Sequence, residues 1–218
     1  MVLLLFDTNG LNVEAVKETV KVLSTGTLDE KEKAAKALDR MLQMHEQQRA
    51  TNAATVVKAG AILPCVVLLK DGTAAGQMHA AGILACAAET PSGIFGNPTA
   101  VAAAAANQVA IVKAGGIPPL VSLLRSGSAN AQEMAAGAIA AVSEDATNQK
   151  ALMKAGAILP LVQLLRGGSA NAQVHAANSA AHLSANNPEC QNALAQSGAV
   201  PMLIALLGSG KAQMPAAG

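Results

Sequence analysis

Lys154-Ala-Gly-Ala-Ile-Leu-Pro160 decides the fold, because the chain repeats it three more times with small changes. Lys58-Ala-Gly-Ala-Ile-Leu-Pro64, Lys113-Ala-Gly-Gly-Ile-Pro-Pro119 and Gln196-Ser-Gly-Ala-Val-Pro201 put Gly60, Gly115 and Gly198 in register with Gly156, at intervals of 55, 41 and 42 residues. Each stretch predicts a short apolar helix that ends at a glycine corner, followed by the start of another. Glycine suits the position just past a helix end, where the backbone commonly turns left-handed and a Cβ is penalised. The prolines suit the opening turn of the next helix, where a missing amide proton is harmless. A period of about 40–47 residues marks a helical solenoid, whose units cannot bury their apolar faces alone.

Working outward through one unit, Asn107 offers an N-cap to a short first helix with Val109, Ile111 and Val112 as apolar contacts. After Gly115, the residues Ile117, Leu120, Val121 and Leu124 keep the spacing of one buried helix face, and Arg125-Ser-Gly-Ser-Ala-Asn130 breaks it. A third helix begins near Asn130, with Ala135, Ala138, Ile139 and Val142 in the same spacing. The equivalent positions hold Ala80, Ile83, Leu84 and Ala87, then Ala176, Ser179, Ala180 and Leu183, and near the start Ala34, Ala37, Leu38 and Met41. A complete unit is therefore one short helix and two longer ones.

The predicted organisation is a single array over 1–218. It has a divergent first repeat at about 11–50, repeats at 51–92, 107–147 and 148–188, and a truncated repeat at 189–218. Between Gly60 and Gly115 an insertion at 93–106 lengthens the period. Pro91, Gly93, Gly96 and Pro98 predict an irregular loop there, and Val101–Ala106 extends the next helix backwards toward Thr99. Solenoids expel insertions to one face, often the binding face; the first reading is a tolerated surface insertion, and the alternative makes Phe95 a partner clip. Ala212-Gln-Met-Pro-Ala-Ala-Gly218 aligns with the third-helix stretch 131–137, which makes a fragment of a longer array the expectation.

The pattern G-[AG]-[IV]-x-P-x-[VI]-x-L-L-x-x-G occupies 60–72, 115–127 and 156–168, and recurs at 198–210 with its proline one place earlier. Asn52, Asn107 and Asn148 each lie eight residues before the corner glycine, and the last unit has Cys190 there. In these features the chain resembles the armadillo repeat family. HEAT repeats share the solenoid logic but have two helices and lack this corner. The resemblance implies an all-α, right-handed α-α superhelical solenoid with three helices per repeat. It also implies a non-enzymatic scaffold or adaptor that binds extended or helical segments of other proteins in a concave groove lined by third helices. In texture the chain is similar to the repeats of plant U-box ubiquitin ligases and vacuolar-protein-like armadillo scaffolds. The alternative function is therefore the substrate-recruiting portion of a larger U-box-type ligase.

Opposite the buried face, the third helices present Glu32, Lys36, Arg40 and Gln43; Met78, Gly82, Cys86 and Glu89; Glu133, Gly137, Ala141 and Glu144; and Val174, Asn178, His182 and Ala185. The candidate partner-binding residues are Lys36, Arg40, Met78, Gly82, Cys86, Glu133, Gly137, Ala141, Asn178 and His182. Import receptors of the importin alpha type carry Trp and, four residues on, Asn at successive third helices. Here those positions hold Lys36, Gly82, Gly137 and Asn178, then Arg40, Cys86, Ala141 and His182. None matches, and Lys36 with Arg40 would repel a basic signal peptide.

Composition narrows the function further. The chain is 51% hydrophobic with two Phe and no Tyr or Trp, and its net charge is +1. It offers neither the basic stripe nor the stacking aromatics of a nucleic-acid binder. Fifteen of the charged residues fall in 1–50, as a polar terminal cap requires. Cys65, Cys86 and Cys190 form no metal-type or disulfide-type spacing and predict buried thiols in a reducing compartment. His79 and Cys86, like His175 and His182, are seven residues apart, which is about 10.5 Å along a helix and too far for one ion. No catalytic motif, metal site or cofactor is expected, nor direct membrane insertion. The expectation is a monomer in the cytoplasm, with the nucleus as the alternative compartment.

Overall fold

The computed structural model describes residues 5–7, 10–44, 48–90, 98–185 and 187–208. It opens with a small antiparallel hairpin, β1 (Phe6–Asp7) and β2 (Gly10–Leu11), the one departure from an all-helical chain among the described residues. Leu5 beside it is fully buried, and its carbonyl accepts the Asn12 amide at 2.8 Å. The helices then come in groups. The first group is α1 (Val13–Thr25) with α2 (Leu28–Met44). Next come α3 (Arg49–Lys58), α4 (Ile62–Asp71) and α5 (Ala74–Ala88), then α6 (Pro98–Lys113), α7 (Ile117–Ser126) and α8 (Ala129–Val142). The fourth group is α9 (Ala146–Lys154), α10 (Ile158–Gly167) and α11 (Ala170–Ser184), followed by α12 (Pro188–Gln196) and α13 (Ala199–Gly208).

The glycine corners have the predicted geometry. Gly60, Gly115, Gly156 and Gly198 have φ of 89, 78, 77 and 80°, values that an L side chain resists. Each glycine amide bonds back three residues, to Val57, Val112, Met153 and Ala195 at 2.8–3.1 Å. At three corners the following amide reaches five residues back: Ala61 to Val56, Gly116 to Ile111 and Ala157 to Leu152. These paired bonds form the Schellman closure, which satisfies carbonyls left over at a helix end. The chain turns by 86° from α3 to α4 and by 83° from α6 to α7, and by 82° from α12 to α13 at the Gly198 corner. Basic residues at the ends of the second helices reach toward the next corner. Arg125 donates to the Gly156 carbonyl at 3.4 Å, a favourable charge for a helix C-terminus.

Hydroxyl caps start the third helices. Thr73, Ser128 and Ser169 accept the Gly76, Ala131 and Ala172 amides at 3.0, 3.4 and 3.1 Å. Thr27 and Glu30 form a reciprocal capping box at the start of α2, with the Thr27 amide 2.8 Å from Glu30 Oε2. The third helices α2, α5, α8 and α11 then pack side by side in succession, each also lying on the second helix of its own unit. All sixteen positions expected on their buried face are at most 4% exposed, from Ala34 to Leu183. Small residues let the helices approach, and burying each larger side chain contributes about 1.5–3 kcal/mol.

Two of the three recurring asparagines, Asn107 and Asn148, do something other than cap. Asn107 sits inside α6, because the Ala-rich stretch carries that helix back to Pro98, and its Nδ2 donates to the Ala87 carbonyl at 2.7 Å. Asn148, inside α9, likewise donates to Val142 at 3.0 Å. Each ties a first helix to the end of the preceding third helix. Residues 91–97, including Phe95, and the stretch 212–218 lie outside the described residues. No described helix is by itself long and apolar enough to cross a membrane.

Candidate functional site

Four parallel third helices bring their equivalent positions into rows. In the row nearest the helix starts, Glu32 and Glu133 alternate with Met78 and Val174. Glu32 accepts the hydroxyl of Thr73, the N-cap of the next third helix. Glu133 accepts from Ser169, the N-cap of α11, and from Asn171 Nδ2 at 3.0 Å. These carboxylates stitch neighbouring repeats while keeping their charge near the surface.

The middle rows combine exposed and covered positions. Lys36 and Arg40 are exposed, while Met78, Cys86, Glu133, Gly137, Asn178 and His182 are half-buried. Gly82 and Ala141 are buried, so these two lie beneath the surface and do not present side-chain area to a partner. The reason at Gly82 is direct. A Cβ there would stand 2.4 Å from Asp39 Oδ1 and 3.0 Å from Asp39 Cγ, so the missing side chain makes room for a carboxylate arriving from α2. Gly137 is looser, with its built Cβ 3.5 Å from Ala85 and from the His175 ring. In the last row Gln43, Glu89 and Glu144 are exposed. Glu89 is 3.6 Å from Arg49, and Glu144 accepts from Thr90 at 2.7 Å and Gln108 at 3.0 Å.

Asp39 and His79 form a buried pair that the sequence rows did not include. His79 Nδ1 is 2.8 Å from Asp39 Oδ2, and Gln43 Nε2 donates to Asp39 Oδ1 at 2.8 Å. A signal was available: Asp39 occupies the position where later repeats hold Ala85, Ala140 and Ala181. Burial pushes the Asp39 carboxyl above its ordinary range, with the His79 and Gln43 bonds opposing that shift. A group whose pKa is raised by folding contributes stability at low pH and loses it as pH rises through the folded value. Asp39→Asn cannot titrate, so the melting-temperature advantage of wild type over this variant should shrink from pH 4 to pH 7. An advantage that grows over that interval would contradict the buried placement of this carboxyl.

The other titratable groups here carry no activated chemistry. Burial pushes the Cys86 thiol up to about 12, leaving it protonated and unreactive. His182 Nδ1 donates to the Ala140 carbonyl at 3.1 Å, which fixes the proton on that nitrogen, and the His182 carbonyl accepts from Gln149 at 2.8 Å. Burial also lowers the pKa of His175, against the opposing influence of Glu133 and Glu89. Among the described residues no group of three or more His, Cys, Asp or Glu side chains could hold a metal ion.

Known proteins place this geometry. A family model described as Armadillo/beta-catenin-like repeat matches residues 105–140. An engineered protein of known crystal structure is 30% identical, with a TM-score of 0.71 over 91% of this chain and 75% of that one. A designed armadillo repeat protein in complex with the peptide (KR)4 is 25% identical, with a TM-score of 0.67 over 88% of this chain and 74% of that one. Computationally designed armadillo repeat proteins for modular peptide recognition give 26% identity and a TM-score of 0.68, over 89% and 75%. No curated protein sequence matches the chain.

Proposed function

Because the chain belongs to the armadillo repeat family, we propose that it is a non-enzymatic adaptor that holds an extended segment of another protein along its third helices. The observation that carries this reading is the in-line stacking of α2, α5, α8 and α11, which repeats one set of outward positions four times. Lys36, Arg40, Met78, Cys86, Glu133, Gly137, Asn178 and His182 supply the accessible part of that strip. Structural neighbours designed for peptide recognition support the same use of the fold. The free thiols of Cys65, Cys86 and Cys190 support a reducing compartment.

Affinity should be modest, because the aromatic anchors that dominate binding hot spots are scarce in this chain. The test is selection of peptides from a random display library on the immobilised protein, followed by titration against variants. Asn178→Ala with His182→Ala is expected to weaken the selected peptides by roughly tenfold. Its far-UV circular dichroism should match wild type. Leu63→Ala and Leu159→Ala, at exposed positions of the second helices, serve as controls without effect. Selected peptides that bind the groove variant as tightly as wild type would overturn the reading.

A further inference from the structure

The strip is divided in charge. At its α2 end the exposed Lys36 and Arg40 outnumber the half-buried Glu32, which accepts from Thr73, while the carboxylate beside Arg40, Asp39, is buried against Gly82 in its bond with His79. The section formed by α5 and α8 has the opposite character. Glu89 and Glu144 are exposed along one edge and Glu133 is half-buried along the other, and the span from 129 to 145 contains no Lys or Arg. Glu133 is bonded to Ser169 and Asn171, and Glu144 to Thr90 and Gln108, all neutral groups. Glu89 faces one cation, Arg49, at 3.6 Å. His175 feels both Glu133 and Glu89, but burial, the larger influence, lowers its pKa and disfavours the cation that would offset them. Between the acidic edges the floor is Gly137 and Ala141, low enough for a backbone to approach closely.

Resting on the groove reading above, we propose that the partner segment is an extended, charge-split peptide, with carboxylates over α2 and cationic side chains over α5 to α8. The geometry sets its spacing. Packed helices lie about 8–10 Å apart, so α2 and α8 are roughly 16–20 Å apart. An extended chain covers that distance in about five to six residues. Complementary charge at both ends fixes the register of the segment and excludes partners of a single sign, whose mismatched end is repelled.

Fluorescence anisotropy at low salt tests the proposal with four labelled peptides of equal length. Two carry a triple-acidic end, a Gly/Ser spacer and a triple-basic end, in opposite orders. The third is uniformly basic and the fourth uniformly acidic. One of the split orders should bind wild type roughly tenfold tighter than either uniform peptide, the effect of two or three exposed ion pairs. Glu133→Gln with Glu144→Gln should erase its advantage over the acidic peptide. Lys36→Glu with Arg40→Glu should make the basic peptide the preferred one. A basic peptide that binds wild type as well as the split ones, or no binding by either split order, overturns the proposal. If groove substitutions weaken all four peptides equally, the groove stands and the charge split falls. If the peptides bind and neither pair of substitutions moves any of them, the groove reading itself falls.

Discussion

Gly82→Leu will loosen the N-terminal helix pair from the rest of the array. The position has no space: an added Cβ meets Asp39 Oδ1 at 2.4 Å before the rest of the side chain is considered. Asp39 cannot simply swing aside, because its two oxygens are held by His79 and Gln43 at 2.8 Å each. Moving α2 away instead would leave the carboxylate and the imidazole desolvated and unpaired. The expected cost is about 3 kcal/mol or more, from overpacking combined with a broken buried polar pair. In a repeat array such damage stays near its interface. Hydrogen exchange should therefore accelerate in α2 and much less in α8, and urea unfolding should begin earlier. Combining Gly82→Ala with Asp39→Ala should recover part of the loss, since each change relieves the other. A single Gly82→Leu variant with wild-type exchange in α2 would refute this account of the junction.

The second large effect is expected at a corner. Gly156 has φ +77°, and a Cβ there would lie 3.2 Å from Arg125 Nη2. Gly156→Val places a β-branched residue where L side chains are strained, at a cost of about 2–4 kcal/mol with loss of the closing bonds to Met153 and Leu152. Gly156→Asn should cost less, because asparagine visits the left-handed region. Thermal melting of the two variants checks the ranking. An unchanged melting curve for valine would remove the corner from its place in the fold.

The repeat architecture was legible because its causes are local. A glycine with positive φ, a proline in an opening turn and a helical apolar spacing are properties of a short stretch, and four corners and sixteen core positions follow from them. The groove was legible only as a set of directions. Helical period says which way a residue points on its own helix but not what the neighbouring helix brings to meet it. Gly82 and Ala141 therefore counted as surface, although Asp39 covers the first and the second is 6% exposed. Asn107 looked like a cap because its local sequence permits one, yet the alanines before it continue the helix. At Gly82 the deciding contact comes from another helix, where single-helix reasoning has no information, whereas at Asn107 the deciding residues are its own neighbours Val101–Ala106.

The side-chain stitches between third helices also bear on how the chain reaches this state. Asp39 with His79, Glu133 with Asn171 and Ala140 with His182 join residues 40, 38 and 42 apart, while Thr90 with Glu144 spans 54 because the insertion lies between them. The entropy of closing a loop grows only with the logarithm of its length, so the longer span adds about 0.3 kcal/mol. Folding that begins in either half can thus cross the α5–α8 junction with little delay, and contact order stays low throughout. The array carries this oversized connection at almost no thermodynamic disadvantage, which leaves the connection free to vary in length.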